Sequence, residues 1–60
     1  MTHPLIPSPH VTVAAATSTR WIARCAHCDW TYTNTVKADV LDHAKWHRGR
    51  HRTGDIEVTR

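Results

Sequence analysis

Residues 25–47 read CAHCDWTYTNTVKADVLDHAKWH, a stretch that holds both cysteines of the chain and three of its six histidines. The residue period changes once near its middle. RWIARC (20–25) sets Trp21, Ala23 and Cys25 on one side of an extended segment, and CDWTYT (28–33) does the same for Cys28, Trp30 and Tyr32. Two short strands that meet at the cysteines predict a β-hairpin. After TNT (33–35) the period becomes helical: Asn34 or Thr35 can cap, and Val36, Val40, His43 and His47 recur at i, i+4, i+7 and i+11. Leu41 and Ala44 widen this stripe, Lys37, Ala38 and Lys45 look outward, and Gly49 is the expected helix end.

Length explains why such a unit needs a cross-link. In a chain of 60 residues with no Phe, three Trp and one Tyr, an apolar core seldom contributes more than about 3–5 kcal/mol. A Cys25–Cys28 disulfide closes too small a loop to constrain the unfolded chain much. A CxxC redox pair belongs at a helix start within a βαβ pattern, for which there is no room. No Lys or Arg precedes Arg20, and Pro4, Pro7 and Pro9 break the opening segment, so an export signal is not expected. The expectation is an intracellular, cytoplasmic chain with reduced thiols and no membrane span.

Reduced thiols beside imidazoles point to zinc, which takes thiolate sulfur and imidazole nitrogen in a tetrahedron. Side chains at i and i+4 share one helix face, so His43 and His47 can meet one ion opposite Cys25 and Cys28. Two thiolates balance the dication, which lowers the cost of burying it. Binding then adds on the order of 10–16 kcal/mol to folding, as in zinc-finger peptides. The predicted set is Cys25, Cys28, His43 and His47 with one Zn2+ per chain; His51, one turn on, is an alternative to His47, and His27 lies inside the cysteine knuckle.

The segment from Trp21 to His51 resembles the Cys2His2 zinc finger family, a ββα unit, through Cys25-x2-Cys28 and His43-x3-His47. Tyr32 stands where that family keeps a core aromatic and Val40 where it keeps a leucine. Fourteen residues separate Cys28 from His43, against a commonest family spacing of twelve, which implies a longer loop before the helix. The resemblance implies a small, metal-stabilised α+β fold: a hairpin followed by one helix. The family's base-reading positions carry over to Val36, Asp39 and Asp42.

Three zones follow. Residues 1–19 are rich in Pro, Thr, Ser and Ala and read as a flexible N-terminal arm, with enough β-branched character in HVTVAAAT (10–17) for an edge strand. Residues 20–52 form the finger-like domain, and residues 53–60 a tail or short strand. Between residues 20 and 52 seven Lys or Arg face three Asp, and Lys45, Arg48, Arg50 and Arg52 gather near the helix C-terminus. A pI of about 9.4 suits an acidic partner. The expected function is nucleic-acid binding, DNA or RNA, of low sequence specificity through these four residues. The alternative is a protein-binding finger that presents Trp46 with Asp39 and Asp42. With four protein ligands closing the site, neither enzymatic activity nor a small-molecule substrate is expected.

Overall fold

Strand alternation and helical period each shape the structure, a computed structural model that describes residues 4–59. Three antiparallel strands, β1 (Val11–Ala15), β2 (Trp21–Cys25) and β3 (Thr31–Asn34), form one sheet in the order β1-β2-β3. A single helix, α1 (Lys37–Thr53), follows. The fold is small α+β, with the expected hairpin and helix and one further strand ahead of them. That strand comes from the segment read as an arm, and it takes the edge position, with Val11 opposite Cys25 and Ala15 opposite Trp21. Residues 1–3 of the expected arm and residue 60 of the expected tail lie outside the described residues. Among the described residues no helix is long and apolar enough to cross a membrane.

One face of the sheet carries Val11, Val13, Trp21, Ala23, Cys25 and Tyr32, since alternate side chains share a face. Across it lies the stripe Val40, Ala44, His47 and His51 of α1. Ala23, Val40 and Ala44 are fully buried, and Val11, Val13, Trp21, Trp30 and Tyr32 pack around them. Small side chains at the centre let helix and sheet approach, and larger rings seal the margin. This core has the predicted thinness.

Both helix ends differ from expectation. Neither Asn34 nor Thr35 caps: Val36 holds the N-cap position without a side-chain hydrogen bond. The Asn34 carboxamide instead bends the chain just ahead of it, accepting a bond from the Val36 N–H at 3.1 Å. Gly49 lies inside the helix, and Gly54 terminates it in the left-handed conformation, φ 75° and ψ 24°. The Gly54 N–H donates to the His51 carbonyl at 3.3 Å and the Asp55 N–H to that of Arg50 at 2.9 Å. These are the two bonds of a Schellman motif, for which glycine is the least strained residue. Because the helix runs past Gly49, His51 stays helical and sits one turn above His47.

Candidate metal centre

The β2–β3 connection places two sulfurs at one end of the molecule. Cys25 ends β2, and its backbone N–H donates to the Trp30 carbonyl at 3.1 Å, which closes the knuckle. The His27 N–H donates to Cys25 Sγ at 3.3 Å, and a backbone bond from Trp30 reaches the Cys28 thiol. Both sulfurs thus accept hydrogen bonds from the knuckle's own backbone.

Helix α1 starts beyond the far end of β3 and runs back toward this knuckle. The chain from Cys28 to Asn34 spans about 20 Å at the strand rise of roughly 3.3 Å per residue. At about 1.5 Å per residue, His43 lies only ~9 Å along the helix from Lys37, His47 ~15 Å and His51 ~21 Å. The knuckle therefore meets the last two histidines. Cys28 Sγ lies 3.3 Å from His47 Nε2 and 3.5 Å from His51 Nε2, and Cys25 Sγ lies 3.2 Å from His51 Nε2. All four donor atoms fall within 4.8 Å of one another. Tetrahedral zinc with ordinary bond lengths sets sulfur and nitrogen about 3.6 Å apart, so Cys25, Cys28, His47 and His51 fit such an ion.

This corrects the predicted ligand set, in which His43 took the place that His51 fills. The His43 ring lies flat on Tyr32, with centroids 3.9 Å apart and planes 12° apart, and its Nδ1 is 2.7 Å from the Asp39 carbonyl. His51 was an alternative to His47; it stands beside His47 instead. His27 is not in the cluster, because its Nε2 accepts a hydrogen bond from the His10 N–H at 2.8 Å.

One register accounts for all of these contacts. Cys28 faces His51, Trp30 stacks on His47 at 4.1 Å, Tyr32 stacks on His43, and Asn34 Nδ2 donates to Asp39 Oδ2 at 3.4 Å. Two strand residues advance about 6.7 Å and four helical residues about 6.0 Å, so the pairings stay in step over four rungs. The signal was present as two repeats, 28/30/32/34 and 39/43/47/51. It becomes decisive only when the strand's length is compared with the helix's.

The electrostatics match ligation by neutral imidazole. Burial, reinforced by His51 and Arg50, pushes the His47 pKa down to about 4. Burial also lowers His51, with His27 contributing. The Cys28 thiol is raised by burial first, although the Trp30 backbone bond opposes this. A dication would supply the compensation that burial denies to this thiolate. His51 is fully buried, and its Nδ1 has no hydrogen-bond partner. Among the described residues that leaves Nε2, aimed at both sulfurs, as the polar contact of the ring.

The other candidate residues divide between two flanks of α1. At about 100° per residue, Lys37, Lys45, Arg48 and Arg52 fall on one side of the buried stripe, while Asp39, Asp42, Trp46 and Arg50 fall on the other. Arg48 Nη1 donates to the Val11 carbonyl at 3.5 Å, and the Lys37 ammonium lies 4.6 Å from the Trp21 ring centroid. Lys45 and Arg52 are exposed. Trp46 is 67% exposed and lines a hollow with Asp42 and His43, and the Arg50 guanidinium lies 5.2 Å from its ring centroid. Arg50 thus separates from the basic group expected from sequence, and Lys37 joins it.

No family model, curated protein or solved structure matches this chain. The metal centre rests on the donor set and its geometry.

Proposed function

We propose that the chain is a single-zinc module that binds nucleic acid through its phosphates with little sequence preference. The observation that carries this reading is the basic flank of α1: Lys37, Lys45, Arg48 and Arg52 share it, and both acidic residues of the helix, Asp39 and Asp42, lie on the other. The fifteen steps of about 1.5 Å from Lys37 to Arg52 place these cations along about 22 Å of helix, a line suited to successive phosphates of one strand. Base reading has little support. Anchoring the finger resemblance on His47 rather than His43 moves the three reading positions to Val40, His43 and Trp46; Val40 is buried and His43 is stacked on Tyr32. The role is non-catalytic, since four protein donors fill a tetrahedral zinc and leave no position for substrate.

Zinc-loaded protein titrated against fluorescent duplex DNA, single-stranded DNA and RNA at 50 and 200 mM salt tests this reading. Affinity should fall steeply with salt, and the triple substitution Lys37→Ala, Lys45→Ala, Arg52→Ala should reduce the salt slope by nearly three for duplex DNA, whatever its sequence. Unchanged binding by the folded triple variant would end this reading. A protein-binding role is favoured instead by one observation, the exposure of Trp46 beside Asp42. In that case Trp46→Ala should cost at least about 2 kcal/mol of binding and the triple variant little.

A further inference from the structure

We infer that His27 is a positioning residue that ties both chain ends to the metal centre, so that zinc retention and docking of the termini are thermodynamically coupled. The inference rests on the metal centre and is independent of the nucleic-acid reading.

Four contacts converge on this one residue. Its backbone N–H donates to Cys25 Sγ at 3.3 Å, and its carbonyl accepts from the Thr59 N–H at 2.8 Å. Its ring Nε2 accepts from the His10 N–H at 2.8 Å, and the same ring meets His51 edge-on, with centroids 5.5 Å apart. Two ligands and two termini are thereby joined through a residue that does not itself face the ion. The N-terminal segment is held at two further points beside it: the Ala26 N–H donates to the His10 carbonyl at 3.0 Å, and the Ile6 N–H to the His51 carbonyl at 3.1 Å. Between these points Pro9 is buried.

The bonds also explain the burial of the centre. His51 is fully buried and Cys25 is 4% exposed, although both lie at the end of a thin sheet-and-helix pair. A covered thiolate–imidazole pair meets less competition from water or a chelator, and an ion that fixes the knuckle fixes the acceptors to which the termini bond. Such coupling acts equally in both directions.

The ring bond dictates a tautomer. To accept from His10, Nε2 must be bare, so the neutral His27 ring carries its proton on Nδ1. The experiment uses full-length zinc-loaded protein. His27→Phe keeps a ring of similar shape without the acceptor, whereas His27→Gln restores an acceptor near the Nε2 position. The Phe variant should still bind one zinc but release it to excess chelator roughly five- to tenfold faster, the scale of one hydrogen bond, and the His10 amide should lose its protection from exchange. The Gln variant should recover most of both. Release at the wild-type rate from the Phe variant, or equally fast release from both variants, would overturn the inference. Nitrogen NMR of the unsubstituted protein provides a check that needs no variant: a protonated His27 Nε2 would overturn it as well.

Discussion

At the Cys28 end of the strand-to-helix ladder the rungs close on donor atoms and the two imidazoles there are buried, whereas at the Asn34 end the rungs are a ring stack and an exposed carboxamide–carboxylate contact. The spacing is the same at both ends, and a histidine is present at both. Position along the ladder decides which imidazole can reach sulfur. His43 and His51 are chemically alike, yet one meets a tyrosine and the other two cysteines.

The largest test of this difference is deletion of each ring. His51→Ala should lower zinc affinity by more than about a hundredfold, beyond the usual effect of losing an outer-shell partner, and unfold the chain, because binding supplies on the order of 10 kcal/mol that the core lacks. His43→Ala should retain one zinc by native mass spectrometry. The opposite result, with zinc lost from the His43 variant and kept by the His51 variant, would restore the ligand set expected from sequence.

Acid should act on the closed end in a defined direction. Zinc ligation requires a neutral His47 and a deprotonated Cys28. With the Cys28 pKa raised, the ion must displace a proton, and apparent affinity should rise about tenfold per pH unit for each proton released. His47 has the opposite shift and a different consequence. Its folded pKa of about 4 lies below the unfolded value of 6.5, so protons favour the unfolded chain. Its contribution to stability is intact above about 6.5, falls as the pH drops toward 4, and changes no further below that. Chelator competition at pH 6, 7 and 8 measures the first effect. A pH-independent affinity would mean that Cys28 is already ionised before the metal arrives.

Between the two ends sits Val40, fully buried against Ala23 and Ala44. Val40→Ala should destabilise the zinc-loaded domain by about 2 kcal/mol, from two lost methylene equivalents and a partial cavity. Thermal unfolding followed by circular dichroism would reveal it. No change would mean that the metal alone holds the two layers together.

How far the sequence reveals this arrangement depends on the rung. The hairpin is legible because Trp21, Ala23, Cys25 and Cys28, Trp30, Tyr32 alternate without interruption, and the helix because one stripe repeats over three turns. The register is not. The pattern i, i+4, i+7, i+11 fits Val36, Val40, His43 and His47, and it fits Val40, Ala44, His47 and His51 equally well one turn later. Burial selects the second set, since Val36 is 51% exposed. The length of the Cys28–Asn34 segment against the rise of α1 is the reason, and a periodicity carries no lengths. Gly49 obscured the matter further: a glycine after the third turn invites a helix end there, although the one that stops the helix is Gly54. Strand β1 was legible only as an option, because three prolines precede it and only one side of it is paired.

The smallest expected effect lies at the open end, where His43 has a role that needs no metal. Its ring covers Tyr32 at 3.9 Å with nearly parallel planes, and both rings are half-buried. Aromatic pairs contribute about 0.5–1.5 kcal/mol beyond the area they bury, and partial exposure places this pair toward the lower value. The contact between Nδ1 and the Asp39 carbonyl adds little, because that carbonyl already belongs to the helix ladder. His43→Ala should therefore lower the unfolding midpoint of the zinc-loaded protein by a few degrees, on the scale of about 4–8 °C per kcal/mol for a domain of this size. His43→Phe separates the stack from the hydrogen bond, since it keeps an aromatic ring over Tyr32 and removes both nitrogens. A midpoint at the wild-type value for Phe with a drop for Ala assigns the effect to the stack. Equal drops for both would assign it to the nitrogen, and would make the His43 end of the ladder a polar contact rather than a continuation of the ring packing that begins at Trp30 and His47.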